Sequence, residues 1–242
     1  MKDIFLNNFI NTMASFANSR KSRAIFYHDI HSKEMYTNMS THIDAFLDHI
    51  SVIRDYGFEI VDKITDLNNQ IEISFDDGFR GVYDNLEFFS TLSIPIKVFV
   101  TCSYIGKKNF LNKDMINVLN QSPYVNIQSH SYRHVNMNSL PIDEMRVELF
   151  RSKNYLEEMC NKNIDEFCFP FGHFSNELIK LSKSVGYNQC YSSIPGPFFD
   201  NILPDVRCRN LVQARSGSVL RNVIRGGEDI LRFWYQRKHF AR

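Results

Sequence analysis

Two groups of polar residues in this sequence carry side chains that could bind a cation and move a proton. Asp76 and Asp77 are adjacent carboxylates that directly follow an apolar run, and His130 and His134 are imidazoles four positions apart. A spacing of four places two imidazoles on one side of a helical turn, where both can bind one metal ion, usually zinc when nitrogen and carboxylate oxygen are the ligands. Of the adjacent carboxylates, one could bind the cation while the other holds a proton. Taken singly, the Asp-Asp-Gly run also fits an ordinary turn, and the histidine pair also fits an exposed surface.

The elements that must position these side chains alternate between strand and helix. Short runs with β-branched or aromatic residues predict strands at 24–28, 58–61, 71–75, 96–101, 125–128, 166–169, 188–191 and 208–212. Apolar stripes at helical spacing predict helices between them, including one that begins after a Ser40 cap and ends at Gly57. This alternation predicts an α/β fold with parallel strands, in the form of a distorted, nearly closed or incomplete (β/α) barrel.

No repeat, low-complexity tract or linker rich in Gly, Pro and Ser divides the 242 residues, which predicts a single domain, 1–242. It would include an N-terminal extension, 1–22, and a basic C-terminal segment, 207–242. In parallel α/β folds the working residues collect where strands end. The predicted strands 24–28, 71–75, 125–128 and 166–169 each end at, or within two residues of, one of the candidate segments. These are His28, Asp76, His130 and the run 170–173, Pro-Phe-Gly-His. We therefore expect these segments to meet at one mouth of the barrel.

In this order, the segments resemble the motifs of the polysaccharide deacetylase family, carbohydrate esterases related to the nodulation chitooligosaccharide deacetylase. Residues 74–78, Ser-Phe-Asp-Asp-Gly, resemble the first motif, and residues 130–134, His-Ser-Tyr-Arg-His, resemble the second. Residues 168–172, Cys-Phe-Pro-Phe-Gly, resemble the third. Some branches of the family also carry a Tyr-His pair at the end of the first strand, as at Tyr27 and His28. The resemblance spans roughly residues 24–191.

The resemblance implies roles for individual residues. A divalent metal ion, expected to be Zn²⁺, would be held by Asp77, His130 and His134, with Asp76 as the general base. Three protein ligands leave one position of the metal open, as in catalytic zinc sites. The backbone N–H of Phe171 would stabilise the oxyanion. The substrate implied is an N-acetylated amino sugar or glycan intermediate, which loses its acetyl group by hydrolysis.

The sequence departs from the family pattern at three places. Cys168 occupies the position at which many relatives have an arginine that orients the base, and Arg207 or Arg209 could replace it. The aspartate and tryptophan of the fourth motif are not recognisable, because the only tryptophan, Trp234, lies in the basic segment. The usual C-terminal catalytic histidine is missing too, since His239 lacks the leucine that normally precedes it.

The leaving amine still needs a proton, so another residue must donate it or the chain is inactive. His28, at the end of the first strand, is the first candidate, and His173 is the second. Phe171, His173 and Arg209 are predicted to line the substrate side of the site. Three other histidines carry no signal beyond a loop or helix surface: His31, His42 and His49.

Composition constrains the compartment and the partners. The five cysteines are odd in number and widely spaced, which predicts buried reduced thiols and no disulfide framework. No apolar run approaches the ~18–20 residues that a membrane-spanning helix needs. Because no secretory signal is recognisable either, we expect a cytoplasmic protein, whose substrate would be a nucleotide-linked or lipid-linked intermediate. Deformylase or O-deacetylase chemistry, or a non-catalytic carbohydrate-binding role, remain alternatives.

The formal charge of +1 suggests no nucleic-acid partner, but the charge is unevenly distributed. Residues 207–242 contain eight arginines and one lysine against Glu228 and Asp229, a net charge of +7, which leaves −6 for residues 1–206. The end of this segment interleaves aromatic residues with Arg232, Arg237 and Lys238. Its aromatic face could pack on the barrel, or the segment could meet substrate phosphates or an acidic membrane surface.

Overall fold

The computed structural model describes residues 12–13, 17–199, 205–213 and 215–241. In chain order the strands are β1 (Arg23–Tyr27), β2 (Asp29–His31), β3 (Ser40–His42), β4 (Glu59–Ile60), β5 (Gln70–Phe75), β6 (Ile96–Val100), β7 (Val125–Ser129), β8 (Glu166–Cys168), β9 (Phe174–Ser175), β10 (Gln189–Tyr191), β11 (Val206–Arg207), β12 (Arg209–Leu211) and β13 (Phe240–Ala241). The helices are α1 (Ile43–Asp55), α2 (Gly81–Asp84), α3 (Leu86–Leu92), α4 (Lys113–Gln121), α5 (Ile142–Cys160), α6 (Asn176–Val185), α7 (Gly217–Ile224) and α8 (Arg232–His239).

One large parallel sheet organises the fold. Its strand order is β11-β10-β8-β7-β6-β5-β1-β12, with β4 beside β5, and the paired strands run parallel. The strands at the two ends of this order, β11 and β12, are separated in the chain by Cys208 alone. Within the described ranges no ladder joins those two strands, so the predicted α/β fold is confirmed as a barrel that does not close.

Every predicted strand is present, with its ends shifted by only one or two residues. The prediction missed β2, β3, β9, β11 and β13, which are two or three residues long and, unlike the equally short β4, β8, β10 and β12, do not lie in one of the predicted apolar runs. The Ser40 cap of the first long helix is wrong. Its N-cap is His42, whose side chain accepts a hydrogen bond from the backbone N–H of Asp44, because Ser40 belongs to β3.

The long helices bury the stripes that the sequence indicates. In α1, Phe46, Ile50 and Ile53 face the core, and the chain turns away at Gly57, whose φ of +70° is the left-handed conformation expected after a helix. His49 lies on the same buried face, so its assignment to a helix surface is wrong. The same core includes the buried stripe of α5.

The interior of the sheet also holds charged side chains that pair with one another. Lys97 Nζ lies 3.0 Å from Glu72 Oε2, 2.5 Å from Glu166 Oε2 and 2.8 Å from the hydroxyl of Tyr191. All four side chains are buried. Charged groups are tolerated in a core only when they are paired and hydrogen-bonded. This group adjoins the candidate site, because the ring of Tyr191 lies 5.9 Å from the guanidinium of Arg209.

Several sequence predictions concern the periphery. Of the extension 1–22, residues 1–11 and 14–16 lie outside the described residues, while Ser19 and Ser22 donate backbone hydrogen bonds to Arg225 and Leu67. The single-domain boundary stays a prediction. All five cysteines are free and buried, as predicted. Throughout the described part of the chain, no helix has the length and apolar character needed to cross a membrane.

The helix at the end of the basic segment, α8, does not turn its aromatic residues toward the barrel, which was one of the two expectations. In α8 the buried residue is His239, whereas Phe233, Trp234 and Tyr235 are exposed. The interpretation in which this helix packs its aromatic face on the barrel is therefore wrong. His239 and the adjacent strand β13, which pairs with β9, are the parts that attach the segment to the fold.

Candidate metal centre and active site

The candidate site lies where neighbouring parallel strands end. β5 leads directly into Asp76, whose backbone N–H donates to the carbonyl of Tyr27 at 3.0 Å. β7 leads into His130, whose backbone N–H donates to the carbonyl of Val100 at 2.9 Å. These bonds extend the sheet by one residue on each strand and fix where the two side chains begin. The sheet thus brings together the first two motif segments, as expected from the rule that parallel strands present their carboxyl ends at one edge.

Asp77, His130 and His134 form a compact group of potential metal ligands. Oδ1 of Asp77 lies 3.1 Å from Nε2 of His134 and 3.5 Å from Nε2 of His130, and one ligand atom from each residue lies within 4.8 Å of the others. The two rings have centroids 4.9 Å apart and meet edge to face. The residues predicted to bind the metal are therefore assembled in one place.

The histidine pair is not brought together by a helical turn, which corrects the sequence argument. Residues 130–134 form an irregular turn in which Ser131 and His134 have φ values of 68° and 57°, and Ser131 Oγ accepts a hydrogen bond from the His134 backbone. Asp77 also has a positive φ, of 72°. Residues other than glycine are uncommon in this region, and such strain often marks functional sites.

The donor set fits a cation between Asp77 and His130. Nδ1 of His130 lies 2.8 Å from the carbonyl oxygen of Cys168, which can only accept, so Nδ1 carries the proton. Burial lowers the pKa of His130 to about 4, so the ring is neutral and Nε2 presents a lone pair. That lone pair faces Oδ1 of Asp77, a buried atom without a hydrogen-bond partner among the described residues. Two facing acceptors repel unless a cation lies between them, and the Nδ1 contact is the usual support of a metal-binding histidine.

Asp76 is held by a buried arginine. Oδ1 and Oδ2 of Asp76 each accept a hydrogen bond of 2.8 Å from Arg209, whose remaining donors reach Ser74 Oγ and the carbonyl of Ser192. The arginine is fully buried. Burial raises the pKa of Asp76, but the charge and hydrogen bonds of Arg209 outweigh it and bring the pKa to about 2. Asp76 is therefore ionised and fixed in orientation at any physiological pH.

Cys168 completes the surroundings of this pair. Its Sγ lies 2.8 Å from a guanidinium nitrogen of Arg209 and 3.7 Å from Oδ2 of Asp76. Burial raises the pKa of the Cys168 thiol well above its ordinary value, so the group is neutral. The cysteine leaves room for a guanidinium that comes from β12 instead of β8.

The third motif forms a strained loop against the metal ligands. Phe171 has φ 57° and ψ 6°, and its ring, 54% exposed, packs on His134 with centroids 4.6 Å apart. His173, the next residue but one, faces His239 with ring centroids 4.8 Å apart. Burial lowers the pKa of His239 to about 4, and a hydrogen bond with the backbone of Phe171 acts in the opposite direction. His239 therefore belongs to the mouth although it lacks the family's local signature.

His28 directly follows β1 and lies near the carboxylate pair. Its Nδ1 is 2.6 Å from Oε1 of Gln213, and it is close enough to Asp76 and Asp77 to contribute to the lowering of both their pKa values. Because an amide oxygen accepts only, this contact places a proton on Nδ1 of His28.

Comparison with known proteins agrees with the motifs. The polysaccharide deacetylase family model matches residues 63–190, which is more than half of the chain, and the chain belongs to this family. A curated relative, the candidate polysaccharide deacetylase YxkH of Bacillus subtilis, is 25% identical over 125 residues. That match covers 51% of this chain and 44% of the relative, so the similarity spans less than half of YxkH.

Solved structures share the fold at low sequence identity. The polysaccharide deacetylase BC0361 of Bacillus cereus has a TM-score of 0.73 at 18% identity, covering 85% of this chain and 69% of its own. The deacetylase PplD of Streptococcus pyogenes, solved with acetate, has a TM-score of 0.73 at 17% identity, covering 85% and 99%. IcaB of Ammonifex degensii has a TM-score of 0.74 at 16% identity, covering 86% and 98%.

Proposed function

We propose that the chain is a metal-dependent carbohydrate deacetylase that removes an N-acetyl group from an amino sugar carried on a nucleotide or a lipid in the cytoplasm. The observation that supports this most is the arrangement around Asp77. Oδ1 of Asp77 is buried within 3.1 Å and 3.5 Å of two imidazole nitrogens and has no hydrogen-bond partner assigned among the described residues, and the neighbouring Asp76 is ionised and held by Arg209. A site that binds a cation beside a fixed proton acceptor suits the hydrolysis of an amide.

A divalent ion bound by Asp77, His130 and His134, with Zn²⁺ as the expected metal for nitrogen and carboxylate ligands, would supply Lewis acidity at the carbonyl oxygen. Asp76 accepts a proton from the water whose oxygen attacks the carbonyl carbon. The Phe171 loop contributes a backbone N–H to the oxyanion that forms. When the C–N bond breaks, acetate leaves and the sugar nitrogen takes up a proton to become the free amine.

The proton for the amine comes from an imidazole at the mouth. His28 is the first candidate because it lies beside the carboxylate pair. His173 remains the second candidate, and its contact with His239 adds a third imidazole, although His239 lacks the family's local signature. The substrate is expected to lie along Phe171 and His173.

Product release by the purified chain tests this proposal. Incubation with nucleotide-linked and lipid-linked N-acetylamino sugars should release acetate and an equal amount of free amine, and a chelator should abolish the release until Zn²⁺ is restored. Asp76→Asn should lower the rate by about 10²-fold or more, as expected for a general base, whereas Asp114→Asn, at an exposed site on α4, should not.

Other products would identify other functions. Release of formate from N-formyl sugars would indicate a deformylase. Release of acetate from O-acetyl sugars alone would indicate an O-deacetylase. Stoichiometric metal binding by the wild-type chain, lost in His130→Gln, without turnover of any substrate at any pH, would support a non-catalytic carbohydrate-binding protein.

A further inference from the structure

The exposed face of α8 combines aromatic side chains with cations. Trp234 is 75% exposed and Phe233 is 63% exposed, and Ile230, just before the helix, is 49% exposed. Arg237 and Lys238 are exposed on the same helix, and the guanidinium of Arg237 lies 5.5 Å from the ring centroid of Phe233. We call these five residues the α8 face. Large exposed apolar side chains grouped on one short segment and accompanied by charged residues can mark a contact site.

The positive charge of the α8 face is not neutralised by its own segment. The only acidic residues of 207–242 are Glu228 and Asp229. Glu228 pairs with Arg215 and Asp229 pairs with Arg23, at 2.6 Å for the latter. Asp229 thus attaches the segment to β1, and Glu228 is paired within the segment, so neither acidic residue of 207–242 is paired with Arg237 or Lys238.

We propose that the α8 face docks on the surface of an anionic lipid bilayer. Tryptophan and phenylalanine favour the boundary between headgroups and acyl chains, while Arg237 and Lys238 attract anionic headgroups. The helix carries both on its exposed side, and its buried residue is His239, so the rings and the cations would meet the headgroup region together. The charge complementarity with anionic lipid, together with the exposed tryptophan, distinguishes this occupant from an uncharged protein surface.

The position of α8 gives the docking a consequence for the substrate. The helix ends at His239, which contacts His173 and the backbone of Phe171 at the mouth of the site. A chain that docks through this helix works next to lipid headgroups. This step rests on the proposed function, and it favours the lipid-linked substrate over the nucleotide-linked one.

Trp234 provides a direct readout, because it is the only tryptophan of the chain. Vesicles of phosphatidylcholine with phosphatidylserine should shift its fluorescence emission to shorter wavelength at low salt, and vesicles of pure phosphatidylcholine should give little shift. Arg237→Gln together with Lys238→Gln should weaken the apparent vesicle affinity about tenfold or more, since each cation adds to the attraction. Phe233→Ala should weaken it as well while leaving the salt dependence in place.

Matched variants separate the α8 face from general stickiness and from catalysis. The outer face of α5 also exposes Phe150 beside Arg146, and the double substitution Arg146→Gln and Phe150→Ala should leave vesicle binding unchanged. Asp76→Asn should bind vesicles like the wild type, so failed deacetylation and failed docking are separate results.

Three results would overturn the docking proposal. The first is an unchanged Trp234 emission in the presence of anionic vesicles. The second is vesicle binding that the α8 substitutions leave intact. The third is a dimer in sedimentation that Phe233→Ala disrupts and that persists with vesicles, since a second copy of the chain would then cover the face.

Discussion

The guanidinium of Arg209 controls both the charge and the orientation of Asp76. It forms two parallel hydrogen bonds with the carboxylate and two more with Ser74 and the carbonyl of Ser192. A planar guanidinium can satisfy these four directions at once, whereas an ammonium group is a point charge that cannot bind both carboxylate oxygens in parallel. Arg209 is thus a positioning residue for the proposed base.

Replacing Arg209 with lysine tests this role. Arg209→Lys should keep Asp76 ionised but release its orientation, so we expect kcat to fall by about 10- to 100-fold, the usual cost of losing a supporting contact, with KM little changed. Steady-state kinetics of acetate release, together with urea unfolding, measure the two effects separately.

The neighbouring arginine supplies the control. Arg207 lies over the rings of Phe198 and Phe199 at 5.2 Å, whereas both oxygens of Asp76 are bound by Arg209, so Arg207→Lys should leave kcat unchanged. An equal loss of kcat in Arg207→Lys and Arg209→Lys would argue against a positioning role for Arg209. So would a loss of kcat in Arg209→Lys that is fully explained by the fraction of unfolded protein.

At the scale of elements, the loop after β8 depends on a close approach between two segments. Gly172 has φ 70°, and a Cβ at this position would lie 2.6 Å from Oγ and 2.9 Å from the backbone nitrogen of Ser193. The loop therefore rests directly on the segment that follows β10. Because Phe171 packs on His134, this close approach also sets the distance between the loop and the metal ligands.

An alanine at Gly172 should disturb the loop. Gly172→Ala adds a clash with backbone to the cost of the positive φ, and we expect a loss of about 1–3 kcal/mol in the free energy of unfolding, with reduced acetate release. Gly106→Ala is the matched control, because Gly106 has φ 81° and no described residue has an atom within 4 Å of the added Cβ. Denaturant unfolding compares the two, and equal losses would mean that the conformation alone, and not the contact with Ser193, sets the cost.

At the scale of the whole molecule, His49 joins three distant parts of the chain. From α1, its Nδ1 lies 2.8 Å from the hydroxyl of Tyr27 in β1, and its Nε2 lies 2.8 Å from the carbonyl of Arg215 before α7. The carbonyl only accepts, so Nε2 carries the proton and Nδ1 accepts from the tyrosine. Burial lowers the pKa of His49 below its ordinary 6.5 and outweighs the Arg215 carbonyl and the charge of Asp48, which both act in the opposite direction.

This contact makes stability fall in acid. Below pH 6.5 the unfolded chain binds a proton at His49 that the folded chain resists, so the free energy of unfolding falls as the pH falls, by at most about 1.4 kcal/mol per pH unit for one proton. His49→Gln should reduce the loss of stability between pH 7.5 and 5.5. His42→Asn, which keeps a side-chain cap on α1, should show the wild-type loss in the same urea titrations. An identical pH dependence in wild type and His49→Gln would contradict this.

Sequence patterns predicted much of the fold because they are local. The alternation of apolar strands with helical stripes located every longer strand, and the ends of β5 and β7 located Asp76, Asp77 and His130. The shape of the His130 to His134 turn was not predictable, because it uses left-handed residues that a spacing of four does not reveal. The strands β2 and β3 were missed because no apolar run marks them, and the cap was placed at Ser40 because Ser40 was not recognised as part of β3.

The sequence by itself determined the motif residues and the class of fold, since both are written in neighbouring positions. Only the tertiary structure decided whether Arg207 or Arg209 binds Asp76. Residues two apart share a face in a regular strand, so the sequence does not distinguish them. In the structure the two belong to different strands, because β11 pairs with β10 and β12 pairs with β1. The tertiary structure also decided that His239 reaches the mouth and that the aromatic face of α8 points outward. These outcomes depend on how elements far apart in the chain pack against one another, which no local pattern records.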